Sequence, residues 1–426
     1  MKNKNKIKLF ENLLIIGLFL VIFGYILFFF YGSLFKIFTF VLFNENTSFI
    51  SQLQDLFDDI NNLEAVIFSL TQGLFTTIIC LGIGGPLSFF LHKYSSFGTK
   101  ILTYIMSIPL ILPASVIIFA FNLSFGVIYG NFHFILLIHI YSYLAIMIWI
   151  GKLAWANLNY EQITIAQTLK VSKFTIFIKL IIPQILPYFL TACMVVFFYS
   201  MNSFEIVLAL GSIKLETIEV RIFKEMIYSN DFQKSSIFAT IQILINFILI
   251  IIFLRLENNQ KRVSARNNIG IPQKKLFNIP SLKKSIETIP ILSIFLLISF
   301  IYLYPLGNII IESFKPRSPN STIFSGYFSL FSSKIGPNQQ FSILNMLWNT
   351  IWLALTNIVV SCVISFSIVL FLINVKRSLS MKRFIYVKKV GNFLFSFPIA
   401  NISITTSFGL FLLIRNTPIF IHGHNA

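Results

Sequence analysis

Residues 134–152 read FILLIHIYSYLAIMIWIGK, and residues 161–187 read EQITIAQTLKVSKFTIFIKLIIPQILP. The first stretch carries one charged residue, Lys152, at its end. Its length suits a helix that crosses the hydrocarbon core of a bilayer, which takes about 20 apolar residues. The second stretch begins as a polar, basic segment and then becomes apolar again. An apolar run, a short basic bend and another apolar run predict a helical protein that crosses a membrane repeatedly.

The composition of the whole chain agrees with this prediction. Of its 426 residues 56% are hydrophobic and 11% are charged, and its mean hydropathy is +0.82. A typical soluble domain is about 25% charged, so this balance excludes an ordinary water-soluble fold. The net charge of +18 comes from Lys and Arg in short loops between apolar runs. That placement indicates membrane orientation and argues against a nucleic-acid partner.

About nine apolar runs are long enough to cross a membrane, the first of them being too long for a signal-peptide core. The predicted spans are 12–31, 66–91, 102–125, 134–152, 187–209, 236–256, 289–311, 347–373 and 391–414. The N-terminus and every second loop are rich in Lys or Arg, whereas residues 32–65 are mainly acidic. Because short basic loops stay in the cytoplasm, we expect the N-terminus inside and the C-terminus outside, in a bacterial inner membrane.

The chain also contains a weak internal repeat. Residues 69–91, a basic loop and Ser107-Ile108-Pro109 are similar to residues 349–373, a longer basic loop and Ser396-Phe397-Pro398. Such repeats are common in transporters, although two apolar segments also match by coincidence. The repeat predicts three parts: a first half over 1–256 with about six spans, a basic cytoplasmic linker over 257–287, and an incomplete second half over 288–426 with about three spans.

The bend over residues 161–187 is the most informative part of the sequence. It predicts a short helix that ends near Lys170 and a second helix that begins at Ser172 as N-cap. We expect Pro183 and Pro187 to close the second helix where the chain re-enters the membrane. A helix-turn-helix between two spans suits the gripping of a soluble partner by a helix-in-groove contact.

The bend resembles the coupling segment of ABC importer permeases, which is written E-A-A-x3-G-x9-I-x-L-P. Thr164, Ile165 and Ala166 take the E-A-A positions, Lys170 the glycine position, and Leu180, Ile182 and Pro183 the I-x-L-P positions at full spacing. Two positions depart from the pattern, since Thr164 is not acidic and Lys170 is not glycine. Lys170 ends a helix less readily than glycine, because glycine adopts the left-handed conformation more easily.

The segments that follow the bend resemble one particular group of ABC importer permeases. Residues 203–211, SFEIVLALG, and 216–223, ETIEVRIF, are similar to thiamine-type permeases, in which S-F-x-x-V-L-x-L-G-G precedes T-I-E-x-x-I-Y. The same branch includes ferric-iron permeases built as two fused halves. The resemblance therefore implies an importer of thiamine or thiamine phosphates, with ferric iron as the alternative substrate.

The resemblance also implies partners and a fold. The expected fold is the all-α type I permease fold of ABC importers. The bend would dock on a separate ABC ATPase dimer, and a periplasmic binding protein would deliver the substrate. No G-x-x-x-x-G-K-[ST] phosphate loop occurs in the sequence. We therefore expect no enzyme activity and no cofactor in this chain, with ATP bound by the partner ATPase.

Smaller signals are weaker. Asn202, Ser203 and Glu205 are candidates for the substrate path, because ionisable groups at membrane depth often line a pathway; Glu205 at the membrane interface is the alternative. His422 and His424 make a poor metal site, so no metal is expected. Gly82, Gly84 and Gly85 suit close helix contacts, and Pro109, Pro113 and Pro398 suit kinks.

The repeat leaves the second half incomplete. Pro109 precedes Ala166 by 57 residues (166 − 109), so a second bend would fall near position 455 (398 + 57), beyond Ala426. We expect a fragment, a split or decayed gene, or a half that pairs with another chain. Competing classes are a polytopic membrane enzyme, which needs a cluster of Asp, Glu or His, and a passive channel, which needs no bend.

Overall fold

A computed structural model describes residues 23–43, 60–94, 97–264, 282–316, 341–378, 380–400 and 403–415, together with short isolated stretches. Almost all of them are helical, which confirms the all-α prediction. The helices are α1 Phe23–Leu42, α2 Ile60–Lys93, α3 Phe97–Ile111, α4 Ala114–Phe125, α5 Phe132–Ala156, α6 Tyr160–Thr168, α7 Lys173–Met201, α8 Glu205–Leu210, α9 Ile218–Ile227, α10 Phe232–Ser264, α11 Leu282–Ser313, α12 Ile343–Ser378, α13 Met381–Ala400 and α14 Ser403–Ile414. Two-residue strands β1 (Lys334–Ile335) and β2 (Phe341–Ser342) pair antiparallel.

The chain forms two compact units. The larger unit comprises residues 37–309 and 399–405, and the smaller unit comprises residues 1–36, 310–398 and 406–426. The predicted halves 1–256 and 288–426 stay a prediction. Within the predicted linker, α10 continues to Ser264 and α11 begins at Leu282, while residues 265–281 lie outside the described residues.

Among the described residues, seven helices are long and apolar enough to cross a membrane, or eight if a bent pair counts as one span. A shorter apolar helix covers Ile404–Ile414. The prediction of about nine spans thus compares with seven or eight among the described residues. The fifth predicted span, 187–209, is wrong in its limits, because α7 covers Lys173–Met201 and α8 is a separate helix; the first, third and ninth also differ.

The third predicted span, 102–125, is not one straight helix. α3 and α4 meet at an angle of 108°. The break lies at Leu112 and Pro113, where Pro113 precedes the first residue of α4. Proline lacks an N–H and disfavours helical geometry in the residue before it, so the kink predicted at Pro113 is confirmed. α3 passes through Pro109 without a break.

The first and ninth predicted spans have different limits. α1 continues to Leu42, beyond the predicted end at residue 31, because Lys36 is the one charged residue over Gly32–Leu42 and nothing there stops a helix. The ninth predicted span, 391–414, falls on α13, which ends at Ala400, and on α14, which begins at Ser403, while residues 401–402 lie outside the described residues.

The core of the larger unit lies around α5, which packs against both α2 and α7. α5 starts at the N-cap Asn131, whose side chain accepts a hydrogen bond from Phe134 N at 3.1 Å. Its side chains at Ile135, Ile138 and Met147 are fully buried. Because α5 is apolar on every face, it suits the centre of a bundle rather than its edge.

Small residues let α2 and α5 approach closely. A Cβ added at Gly151 of α5 would lie 2.7 Å from the Ser88 Cβ, and a Cβ added at Gly84 of α2 would lie 2.7 Å from the Met147 Cγ. Nothing lies within 4 Å of a Cβ added at Gly82, and Phe189 lies 3.9 Å from one added at Gly85. The predicted role in close helix contact is therefore confirmed for Gly84 and not for Gly82.

α9 is tied to its neighbours by charged groups. Arg221 donates to Asn62 Oδ1 of α2 at 3.1 Å and pairs with Glu225 at 3.1 Å. Lys234 of α10 also pairs with Glu225, at 3.3 Å. Buried carboxylates need such partners, since an unpaired buried charge is strongly destabilising.

The smaller unit contains most of α12 and α13. The Tyr31 hydroxyl donates to the Leu394 carbonyl at 2.8 Å, and the Phe397 ring stacks on that of Phe393. α12 exposes most of its apolar side chains, including Trp348 and Phe366. Exposed apolar faces of this length suit contact with lipid.

We predict that Gly151→Ala lowers the thermal stability of the protein, because the new methyl group collides with Ser88, which also accepts from Trp155 Nε1 at 3.2 Å. Overpacking of this kind costs about 1–3 kcal/mol. Gly82→Ala, which adds the same methyl group in open space, is the matched control and should cause no loss. Thermal unfolding in detergent measures both, and equal behaviour of the two variants would contradict the packing described.

Candidate functional site

The bend after α5 begins with a capped helix. Asn159 is the N-cap of α6, and its side chain accepts from Gln162 N at 3.2 Å. The Asn159 backbone N–H donates to Gln184 Oε1 of α7 at 2.9 Å. The start of α6 is therefore stabilised by its own N-cap and by a hydrogen bond to the next membrane helix.

α6 ends at Thr168, and Lys170, two residues later, adopts the conformation that a glycine normally supplies. The φ angle of Lys170 is +56°. Lys170 N donates to Gln167 O at 3.0 Å, and Val171 N donates to Ala166 O at 3.1 Å, which together form a Schellman motif. The predicted helix end is confirmed, and a non-glycine residue in this conformation costs roughly 1 kcal/mol.

The second helix of the bend starts as predicted and ends elsewhere. Ser172 is its N-cap and accepts from Thr175 N at 3.2 Å. The expectation that Pro183 and Pro187 close this helix is wrong, because α7 is continuous from Lys173 to Met201.

A π-helical turn over Phe177–Ile181 explains the continuity. Ile182 N donates to Phe177 O, so the helix changes its hydrogen-bond register just before Pro183. Pro183 then occupies the start of a new α-helical segment, where its missing N–H is tolerated.

The bend has a buried face. Ile163, Ala166 and Ile176 pack against Trp155 at the end of α5, against Leu158 just after it, and against Ile185 and Tyr188 of α7. We call this cluster of eight residues, which also includes Ala154, the bend seat. All of its members are buried to at least nine-tenths. Burial of one such aliphatic side chain contributes about 1.5–3 kcal/mol, so the bend is firmly held by both membrane helices.

The outer face of the bend is exposed and carries three large apolar side chains among polar ones. The exposed fractions are 58% for Ile165, 72% for Leu169 and 75% for Phe174. Of the seven predicted coupling residues, Ala166 is buried, Leu180 and Ile182 are partly buried, and Thr164, Ile165, Lys170 and Pro183 are exposed. The structure thus divides them between a seat and an outer surface.

The three predicted substrate-path residues do not share one environment. Asn202 and Ser203 are buried, and Ser203 O accepts from Thr217 Oγ1 at 2.7 Å. Glu205 is exposed in the first turn of α8. These roles stay predictions.

Asn202 belongs to a buried polar network that sequence reasoning missed. Gln242 Nε2 donates to Asn202 Oδ1 at 2.6 Å and to Glu219 Oε1 at 2.8 Å, and Thr405 Oγ1 donates to Gln242 Oε1 at 3.1 Å. Asn246 Nδ2 also donates to Asn202 Oδ1, at 3.3 Å. The polar residues within the apolar run of α10 were the available signal, since such residues in a membrane helix usually face a partner.

Glu219 is the ionisable member of this network and lies in α9, outside the membrane-crossing helices. Burial raises the pKa of its carboxyl from 4.5 to about 8, while hydrogen bonds from Gln242 and from the backbone of Thr405 and Ile404 act in the opposite direction. The carboxyl is therefore largely protonated at neutral pH.

A second buried network lies among α2, α5 and α7. His139 Nδ1 lies 2.8 Å from Ile135 O, so it carries the proton, and His139 Nε2 accepts from Gln72 Nε2 at 3.1 Å. Gln72 Nε2 also contacts Ser200, whose hydroxyl donates to Thr76 Oγ1 at 2.9 Å. This network holds the three central helices in one register.

The part of the chain that the structure describes contains no group of three or more His, Cys, Asp or Glu side chains arranged to hold a metal ion. His422 and His424 lie outside the described residues.

Three comparisons bear on the site. Residues 84–262 match the family of binding-protein-dependent transport system inner membrane components. The thiamine transport system permease protein ThiP of Haemophilus influenzae is 26% identical over an alignment of 272 positions that covers 58% of this chain and 48% of that protein. The chain thus spans about half the length of this curated relative. A crystal structure of a bacterial ABC transporter involved in the import of the acidic polysaccharide alginate gives a TM-score of 0.48 at 13% identity, covering 62% of this chain and 99% of that chain.

We predict that Glu219→Gln raises thermal stability increasingly as the pH rises from 5 to 8. Below about pH 4.5 the carboxyl is protonated in both folded and unfolded chains; above it the unfolded chain ionises first, so folding of the original protein weakens until about pH 8. Glutamine keeps the oxygen that accepts from Gln242 and removes the titration. Glu205→Gln, at an exposed carboxyl, is the control. A stability difference that does not depend on pH would contradict the assignment.

Proposed function

We propose that the chain is the membrane-spanning subunit of an ATP-driven importer, because residues 84–262 match the family of binding-protein-dependent transport system inner membrane components and a permease of this kind is similar in sequence. The observation that carries the proposal is the geometry of the bend. One face of α6 is buried in the bend seat, and the other face exposes Ile165 and Leu169. Exposed apolar side chains among polar ones, on a helix beside a membrane bundle, suit a groove on a soluble partner.

The bend is suited to transmitting movement. Its seat is made of residues from the end of α5 and from α7, so a push on α6 acts on two membrane helices at once. The Schellman motif at Lys170 and the N-cap at Ser172 restrict the conformation of the residues that connect α6 to α7. We infer that a partner that moves α6 turns the bundle from an inward-facing to an outward-facing state.

The proposed partner at the bend is a dimer of a separate ABC ATPase, which binds the ATP. With this partner, the bend and the N-terminus would lie in the cytoplasm, which is also the side that the Lys- and Arg-rich loops favour. A periplasmic binding protein at the opposite end would deliver the substrate. Both partners are general features of the importer family that residues 84–262 match.

The proposed substrate is thiamine or a thiamine phosphate. Support comes from the Haemophilus influenzae relative, whose name specifies thiamine transport, and from the motifs at residues 203–211 and 216–223. We propose that Asn202, Ser203 and Glu205 lie along its path. Glu205, being exposed and anionic, would attract a cationic ring.

We predict that Ile165→Asp/Leu169→Asp prevents co-purification of the ATPase, because two charges replace the apolar contact surface. The control is Ile213→Asp, which changes an equally exposed isoleucine outside the bend (74% exposed). Co-purification from membranes, together with uptake of labelled thiamine, measures the effect. The double variant should lose both signals, and Ile213→Asp should keep them.

The same assay separates the possible outcomes. An ATPase that remains bound to the double variant would overturn the proposed docking surface. Uptake of ferric iron in place of thiamine would keep the importer and change its substrate. Thiamine uptake that continues without any ATPase would contradict an ATP-driven mechanism.

A further inference from the structure

Two lysines meet at the bend end of α3 and α5. Lys100 lies in the first turn of α3 and Lys152 near the end of α5, and the side chain of Lys152 reaches Thr103, which is one helical turn from Lys100 on α3. Among the described residues, neither lysine forms an ion pair with a carboxylate. Two uncompensated ammonium groups side by side favour the binding of an anion between them.

The position of Lys152 is fixed by its neighbours. Its Nζ donates to Thr103 Oγ1 at 3.2 Å and lies 5.4 Å from the centre of the Trp149 ring. Thr103 is itself held, since its hydroxyl donates to Thr99 O at 2.8 Å. An ammonium group has three donors, so two remain for an anion.

Aromatic side chains lie one helical turn deeper. Trp149 Nε1 donates to Ser107 Oγ at 2.7 Å, and the Trp149 and Tyr104 rings lie 6.2 Å apart. Both side chains are exposed, Trp149 by 43% and Tyr104 by 64%. Exposed Trp and Tyr of this kind lie at the level of lipid headgroups, where an apolar ring and a polar edge are both satisfied.

The surface around the lysines is apolar. Ile101 and Ile108 of α3 and Leu153 of α5 are exposed by 40%, 37% and 49%. They flank the two aromatic rings on adjoining helices. This surface suits an acyl chain, which neither a free phosphate ion nor the acidic side chain of a soluble protein would use.

We propose that Lys100, Lys152, Trp149 and Tyr104 form a binding site for one anionic phospholipid. The phosphate lies between the two ammonium groups, the glycerol backbone with its ester groups lies against the aromatic rings, and an acyl chain lies along the apolar surface of α3 and α5. Because α5 leads directly into the bend, the bound lipid braces the membrane helix from which the bend starts. The site does not depend on which solute the protein transports.

The test uses the full chain in detergent with added phosphatidylglycerol, and mass spectrometry of the intact protein counts the bound lipids. Lys100→Gln/Lys152→Gln should reduce the affinity for phosphatidylglycerol roughly 30-fold, which corresponds to about 2 kcal/mol for two lysines near an anionic surface. Binding of phosphatidylcholine, which is zwitterionic, should not change.

Two further variants keep the test decisive. Lys173→Gln/Lys179→Gln removes the same charge from exposed positions nearby and should retain phosphatidylglycerol like the original protein. Lys100→Arg/Lys152→Arg keeps the charge and should retain it too, which shows that any loss in the glutamine variant is not a folding failure.

Four results would overturn the proposal. Undiminished phosphatidylglycerol on the Lys100→Gln/Lys152→Gln variant would show that the pair does not bind it. Equal loss in the Lys173→Gln/Lys179→Gln control would indicate diffuse attraction instead of a site. Displacement of the lipid by excess inorganic phosphate would indicate a phosphate site, and loss of ATPase binding without loss of lipid would indicate a contact with that partner.

Discussion

The position of the bend depends on the burial of one face of the short helix α6 against the ends of two membrane helices, α5 and α7. Ile163 and Ala166 of α6 lie in the bend seat between Trp155 of α5 and Tyr188 of α7. This contact makes the bend a rigid extension of the bundle and leaves Ile165 and neighbouring residues facing outward. Without this contact, α6 would not be attached to the bundle, and a movement of α6 would not be transmitted to the membrane helices.

Inside the larger unit, buried polar side chains of different helices form hydrogen bonds with one another. Gln72 and His139 bond across α2 and α5, and Gln242 joins Asn202 to Glu219. Polar side chains inside a membrane bundle specify helix positions, because an apolar surface alone permits many registers. The two networks therefore fix the positions of the helices in the larger unit, including α5 and α7, against which the bend packs.

Much of this structure was predictable from the sequence, since hydropathy sets helix length and short-range signals set helix ends. The cap at Ser172 and the helix end at Lys170 were predicted because capping depends on neighbours along the chain. The continuity of α7 through Pro183 was not, because the π-helical turn that accommodates the proline has no clear sequence signal. The network of Glu219 and Gln242 was missed because its members are distant in sequence and meet only through packing.

The most direct test of the central claim is the side of the membrane on which the bend is exposed. Thr168→Cys places a thiol on the outward face of α6, and a membrane-impermeant maleimide reports its accessibility in a chain whose Cys80, Cys193 and Cys362 are replaced by serine. The account predicts labelling in inside-out vesicles, protection when the ATPase is bound, and no labelling in intact spheroplasts. Labelling from the periplasmic side, or the absence of protection by the ATPase, would contradict it.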